Sequence, residues 1–581
     1  MSARTRFANI ELSFSGYWLS GTGGGQGRRL DAECHRDPHD FPAMPMSQVK
    51  GTLRQTAERL AAAAIGGWSE ECVVKLFGKR SDGSGPDGAL AFLGDATVAD
   101  FICPQVSGGD LSLLFERVGA TRIDEAGVAD DRTLRAIEVA VPIILTGRLE
   151  WLLVPEPDFD WIGMLDLACA ATMSFGALKN DGYGRATARI TASDPPERSP
   201  APFSVQGMRR IRLTLRQTER AIFSKRSATE GLHETRLGPT GASILGWVAS
   251  QGRYGDFDDP FAVFHGGAVR FGDALPVVAP GLETMPTPKL FMRPKNATIP
   301  DVSIGYPQEQ TDSGYVQYEE VKEPFVSITG AFLNPEYEQR LRTATQDGRA
   351  RQGQLFGYQS ICPNVQEEFE CTIEIDPSIS EADVGRLTDC LAQRPIRIGK
   401  ARSSSYGGEY SVSLTADAGV QTQLPAGTSG VVRILLLSDL AICNEFGTAG
   451  SRPDPSLFGL GDAEFLVQDS AARSRRYAPW NSHLGCRDIE RHVIEAGSVL
   501  AFRLKSPLPS NVAQRQTVGL WREAGLGRVW INPSFLEGPR PKFQELVMPA
   551  TERDRRKPES PTEIKGDFSK WLDLRRDWRQ I

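Results

Sequence analysis

The sequence predicts an α+β protein with an internally repeated plan, and three observations predict it. Short runs alternate strictly between apolar and polar residues, the mark of half-buried strands. Stripes of apolar residues at helical spacing lie between those runs. One ten-residue glycine-rich pattern returns three times along the chain. A length of 581 residues exceeds what one hydrophobic core organises, so two to four domains are expected.

In chain order, Ala8, Ile10, Leu12, Phe14 and Trp18 fall on even positions with polar residues mostly between them, which predicts a strand with one buried face. A glycine-rich stretch, Gly21 to Gly27, follows. A helix is expected from Ser47, with Val49, Leu53, Ala57, Leu60, Ala61 and Ala64 inward and Gly66-Gly67 ending it. Residues 78–109 are rich in Gly and Asp and read as a loop or projecting hairpin. A helical segment near Ile162–Met173 precedes a strand at Ala186–Ile190. Proline and polar residues then block both helix and ladder, which places a linker at 193–204.

Beyond it, Ile211, Leu213 and Leu215 alternate with Arg210, Arg212, Thr214 and Arg216, a strand with one strongly basic face. Ser380-Glu-Ala-Asp383 reads as a capping box ahead of Val384, Leu387 and Leu391. Ile434–Leu437 is a short buried strand, and 444–480 reads as an irregular insertion. The resulting division is 1–192, linker 193–204, 205–420, 421–550 and a tail at 551–581.

The repeat comprises Gly176-Ala-Leu-Lys-Asn-Asp-Gly-Tyr-Gly-Arg185, Gly399-Lys-Ala-Arg-Ser-Ser-Ser-Tyr-Gly-Gly408 and Gly519-Leu-Trp-Arg-Glu-Ala-Gly-Leu-Gly-Arg528. Each leads into an alternating strand. Glycines let the backbone approach a phosphate closely, and Lys179, Arg185, Lys400, Arg402, Arg522 and Arg528 add charge beside Gly182, Gly184, Gly525 and Gly527. Three copies make chance a poor explanation.

Composition excludes several classes. No run is long and apolar enough to span a bilayer, and the first residues lack a signal core, which predicts a cytoplasmic protein without membrane contact. Nine scattered cysteines without CxxC read as reduced thiols. The net charge of −7 is unfavourable for nucleic acid as a whole, but Met208–Arg226 holds seven basic residues against the single acid Glu219. There is no P-loop, Gly21–Gly27 fails the dinucleotide pattern at Gln26, and Gly241-Ala-Ser-Ile-Leu-Gly246 is one residue too long for a nucleophile elbow. Ser107-Gly-Gly-Asp-Leu111 lacks the second aspartate of a nucleotide-cyclase palm.

The glycine-rich pattern resembles the loop of the RAMP superfamily of CRISPR proteins. Leu30-Asp31-Ala-Glu-Cys-His-Arg-Asp37 followed by Phe41-Pro-Ala-Met-Pro-Met-Ser-Gln-Val-Lys-Gly-Thr-Leu-Arg54 resembles the acidic loop and helix entry of the backbone subunit of type III effectors, with Met46 where a glycine is usual. Arg122-Ile-Asp-Glu-Ala-Gly-Val128 and Leu134–Glu138 add to that likeness over 7–192. Residues 205–545 resemble the cap-like RAMP of type III-D systems, on Gly241–Gly246, Val269-Arg-Phe-Gly-Asp-Ala-Leu-Pro276, Gly348–Gly357 and the latter two loops, the middle one ending in Gly408 rather than arginine.

The resemblance implies tandem ferredoxin-like, RRM-related domains: a backbone-type RAMP fused to a cap-type one. It implies an antiviral defence role, with CRISPR guide RNA, complementary target RNA and other RAMP, large and small effector subunits as partners. Lys50 and Arg54 at the helix start, with Arg210, Arg212 and Arg216, join the loop residues as the expected guide contacts. Asp31 takes the place of the aspartate that supports target-RNA cleavage with a divalent cation, Mg2+ or Mn2+, while Asp37 shapes the loop. Two alternatives stay open: a non-catalytic scaffold, and a precursor-processing endoribonuclease using His35 or His39 as base. Cys34, His35 and His39 also offer part of a structural zinc site, short of a fourth ligand.

Overall fold

Alternation holds from the first strand, β1 (Phe7–Phe14), where Ala8, Ile10, Leu12 and Phe14 are buried and their neighbours are less so. The structure is a computed structural model. It describes residues 6–543 except 24–29, 38–39, 80–87, 99–110, 122–125, 127, 129–134, 153–158, 195–208, 226–230, 252–253, 279–281, 296–301, 307–309, 312–313, 336, 347–348, 364–367, 393–394, 401–405, 418–421, 445, 451, 482–483 and 509. Arg402, His39, most of the expected linker and the 551–581 tail therefore lie outside the described residues. The architecture mixes helices with antiparallel sheets, and no described helix is long and apolar enough to cross a membrane.

After β1 come α1 (Met46–Ala62), α2 (Glu70–Phe77) and β2 (Leu90–Val98). An antiparallel hairpin, β3 (Phe115–Ala120) with β4 (Arg135–Ala140), stands apart from the sheet. The chain returns through β5 (Ile144–Trp151), α3 (Trp161–Ala170) and β6 (Ala186–Ser193). The sheet order is β2-β5-β1-β6, so the first strand sits between the third and the fourth. Helix α1 begins at Met46, one residue before the expected start, with Pro45 as its cap and no side-chain cap bond. Its inward stripe of Val49, Leu53, Ala57 and Leu60 packs on the sheet as the spacing requires.

The second sheet uses β7 (Arg210–Gln217), then α4 (Gly241–Gln251) and β8 (Val269–Phe271). A long hairpin, β9 (Tyr337–Gln346) and β10 (Arg349–Ile361), leads to β11 (Glu368–Ile375), α5 (Glu381–Ala392) and β12 (Glu409–Ala416). The order is again second, third, first, fourth: β8-β11-β7-β12. Ser380 Oγ accepts the Asp383 N–H at 3.1 Å, the cap that the sequence pattern called for.

The third sheet repeats the order with β13 (Val431–Leu436), β14 (Ala463–Phe465), β15 (Val499–Leu504) and β16 (Arg528–Ile531), as β14-β15-β13-β16. Among the described residues this unit has no α-helix. Its two faces are covered differently. Ile434, Leu436, Leu500 and Phe502 face a core with Phe458 and Leu460. Leu435 and Val499 face Met285, Phe291, Val302, Val321 and Val326, which come from the excursion between β8 and β9. A strand buried on both faces reads as a continuous apolar run, which is why Ile434–Leu437 shows no alternation.

Candidate nucleic-acid interface

The first and third glycine-rich loops share one backbone. Leu178 and Trp521 both adopt φ 54°, Gly182 and Gly525 φ 87° and 91°, Gly184 and Gly527 φ 75° and 81°. Lys179–Asp181 and Arg522–Ala524 are matching 3-10 turns. A Cβ on Gly184 would stand 2.0 Å from the Phe175 carbonyl oxygen, and one on Gly527 1.7 Å from that of Val518, so only glycine fits.

Each loop hooks onto the chain just past its unit's first strand. Gly184 N–H donates to Tyr17 O and Ala177 N–H to Leu19 O; Gly527 N–H donates to Asp439 O and Leu520 N–H to Ala441 O. The middle loop makes the same two bonds, Gly408 N–H to Arg220 O and Lys400 N–H to Ile222 O. Here the structure corrects the sequence alignment. The middle loop is one residue longer, so Gly408, not Gly407, matches Gly184 and Gly527. The counterpart of Arg185 and Arg528 is then Glu409.

The hook residues Arg220 and Asp439 lie by a second repeat that the sequence reading missed. Leu93-Gly94-Asp95-Ala96 and Phe271-Gly272-Asp273-Ala274 both fill the bulge of their unit's second strand, while the third copy, Leu460-Gly461-Asp462-Ala463, leads into the start of its strand. Asp95 accepts from Arg220 Nη1 at 2.7 Å, across the junction of the first and second units. Asp273 and Asp439 both lie beside Arg236, at 3.9 and 3.5 Å, across the junction of the second and third. Each of these two aspartates thus ties its unit to the hook of the next.

At the first junction Arg220 also donates to Glu338 at 2.5 Å and to Arg36 O at 2.9 Å, while Arg340 donates to Glu338 at 2.7 Å. His35 Nε2 lies 2.8 Å from Asp95 and is 1% exposed. Burial first, then the Arg340 charge, pushes the His35 pKa down to about 4 against the pull of Asp95. His35 is therefore a neutral structural donor, which removes it as an accessible base. A folded pKa below the unfolded value of about 6.5 means that the unfolded chain takes the extra proton as pH falls. Wild-type stability should drop relative to His35→Gln by about 3 kcal/mol between pH 7 and pH 4. Glu219, pushed up to about 7 by burial, titrates in the opposite sense, so the difference between the two urea midpoints is the quantity to measure. A constant difference would show that His35 takes up its proton in the folded state as readily as in the unfolded one.

The basic candidates divide into three groups. Lys179 Nζ reaches Thr52 Oγ1 of α1 at 3.4 Å, and burial and Arg59 lower its pKa; Arg185 at the loop end is exposed. Lys50 lies 6.0 Å over the Phe92 ring, and Arg54 pairs with Glu58 at 3.0 Å. Lys400 stands 4.9 Å over Tyr358, which stacks on His233. Arg210 bonds Glu374 at 3.1 Å and Asp417 at 3.2 Å, and Arg212 bonds Asp417 at 3.4 Å. The basic face of β7 is thus matched by the acids of its neighbour β11, with Arg216 opposite Glu368 and Arg210 opposite Glu374. Arg210, Arg270, Arg522 and Arg528 converge around Glu374 at the second junction, and despite burial the charges of Arg528, Arg210 and Arg270 hold that carboxyl below the usual range.

Asp31 is exposed and tied to the β3–β4 hairpin: its N–H donates to Ala136 O, and its Oδ2 accepts the Ala136 N–H, both at 2.8 Å. One carboxylate oxygen is left for another partner. A Mg2+-like ion that takes one carboxylate and completes its shell with substrate phosphate and water fits such a donor. Among the described residues, no three His, Cys, Asp or Glu side chains converge on one point.

No protein-family model matches the sequence, and no curated protein matches it. In fold the chain is similar to a chain of a type III-B Cmr-beta complex bound to cognate target RNA, at 11% identity and a TM-score of 0.25, with 32% of this chain and 98% of that one covered. It is similar to a chain of a type IV-B CRISPR complex at 16% identity and a TM-score of 0.25, covering 34% and 95%. A third likeness is to the apo state of the type III-B Cmr-beta complex, at 12% identity and a TM-score of 0.24, covering 33% and 99%.

Proposed function

We propose that the chain is a guide-RNA-binding subunit of a CRISPR effector complex of type III-like character. It consists of three consecutive units with one strand order, the first two carrying helices in ferredoxin-like positions. The single observation that carries this reading is the threefold recurrence of one glycine-rich loop, docked by the same hydrogen bonds behind the same strand of three sheets with one strand order. That pairing of loop and sheet is what the resemblance to the RAMP superfamily rests on.

The guide backbone would be held by Lys50, Arg54 and Lys179 in the first unit. Lys400 and the Arg210–Arg522–Arg528 group would act at the following junctions. Arg210 and Arg212 would have to exchange a carboxylate for a phosphate, so their contribution to affinity is smaller than their charge suggests. Asp31, beside the hairpin of the first unit, would act on complementary target RNA with a divalent cation, whose chemistry is to relieve charge on the phosphoryl oxygens. A scaffold without cleavage is the second reading. The bond from Asp31 to Ala136 favours it, because that bond alone gives the carboxylate a structural task.

The test is the RNA that co-purifies with the tagged protein from its own cells. Sequencing should return short RNAs that share one repeat-derived 5′ segment followed by variable sequence. Random fragments of cellular RNA, or none, would refute the reading.

A further inference from the structure

We propose that the first glycine-rich loop, with Tyr17 beside it, is the docking surface for a helix-bearing unit of a separate protein chain. The inference deepens the assembly part of the proposed function and rests on it. It comes from comparing two loops whose backbones are the same and whose surroundings are not.

In the third unit, Ala524, Gly525 and Leu526 are buried. A Cβ on Gly525 would stand 2.6 Å from Phe271 O, 3.2 Å from Asp273 Oδ1 and 3.2 Å from Gly241 Cα. The cover is thus the start of α4 together with the Gly-Asp-Ala segment after β8, both from the preceding unit. In the first unit the counterparts Asp181 and Gly182 are exposed, Tyr183 is only partly covered, and a Cβ on Gly182 would meet nothing within 4 Å. The hook residue behaves alike: Arg220 and Asp439 are each 4% exposed, whereas Tyr17 is 41% exposed, with Leu178 at 38% beside it. The first unit therefore carries the receiving half of a contact that the chain makes internally between its third and second units.

What fits there follows from the internal example. The third unit of a second copy has no helix among the described residues, and its Gly461-Asp462-Ala463 enters a regular ladder rather than a bulge, so it does not reproduce the cover. The charge is set as well. Arg528 lies against Gly272 beside Asp273, and its exposed counterpart Arg185 calls for an acid in the same place. The occupant is a different chain that presents a helix start and an aspartate in the bulge of its second strand.

The experiment places p-benzoylphenylalanine at position 181, on the exposed counterpart of buried Ala524, in tagged full-length protein purified with its assembly from its own cells. Irradiation should link it to a peptide of another chain that spans a second-strand aspartate or the first turn of the preceding helix. Asp181→Trp should lower the recovery of that chain about tenfold or more, with the thermal midpoint of the protein unchanged. Cross-links to residues 461–463 of a second copy, to RNA, to any other peptide, or to nothing at all would each overturn the proposal. Co-purified RNA is quantified in the same samples, so a failure of guide binding and a failure of docking give different results.

Discussion

Arg220→Ala is expected to cost about 3–5 kcal/mol of stability, the range for removing one partner from a buried charged network. Arg220 is 4% exposed and donates to Asp95, Glu338 and the Arg36 carbonyl oxygen. Asp95 is buried as well, with His35 as its other side-chain partner. Truncation leaves its carboxylate with a neutral imidazole for support, in a place water reaches poorly. Despite its burial, His35 and Arg220 hold the Asp95 pKa well below the usual carboxylate range, and losing the guanidinium raises it again. Desolvation of Asp95 thus decides the size of the effect, more than the loss of hydrogen bonds does.

Two companion variants separate these terms. Arg220→Ala combined with Asp95→Ala should recover part of the loss, because the uncompensated charge is gone. Removing Arg503, whose pairing with Glu464 is well over half exposed at both ends, should change stability by less than about 1 kcal/mol. Urea midpoints at pH 7 read all three. A loss below about 1 kcal/mol for Arg220→Ala would mean that the junction admits water.

The junctions were the part of the molecule least legible from sequence. Strands β1 and β7 announce themselves because one face is buried and the period of two survives. Strand β13 shows as a continuous run because both its faces are buried. Strand β14 has three residues, too few for any period, so the 444–480 stretch that contains it looked irregular. The middle loop ends in two adjacent glycines, and only the hydrogen bond from Gly408 to Arg220 O decides which of them fills the tight position.

The pairing of Asp95 with Arg220 spans 125 residues, and no local pattern points to it. A signal was nonetheless present. The tetrads at Leu93, Phe271 and Leu460, each an apolar residue followed by Gly-Asp-Ala, recur in sequence, and the first two fill the same strand bulge. The basic face of β7 was misleading for a related reason: its neutralising acids lie on β11 and just past β12, more than 150 residues further along the chain.

Asp31→Asn should abolish cleavage of a complementary RNA, with a loss of about a hundredfold or more, while guide binding and target pairing persist. Asparagine is the decisive substitution because the carboxylate has two separable tasks. One oxygen accepts the Ala136 N–H and fixes the loop to the hairpin. An asparagine carbonyl accepts the same bond, so the loop stays in place and stability changes little. What asparagine removes is the negative charge, and with it the hold on a cation that would relieve charge on a scissile phosphate. Asp31→Ala removes both tasks, and should cost about 1 kcal/mol at most, because the bond is exposed and water replaces it. The measurement uses assemblies carrying wild type, Asn or Ala at this position, given one labelled complementary RNA with magnesium or manganese. Chelation should reproduce the asparagine result in the wild type. If Asp31→Asn cuts as well as wild type while Asp31→Ala does not, the carboxylate is a tether and its charge plays no part. If none of the three cuts, the chain orders its guide and leaves cleavage to another subunit.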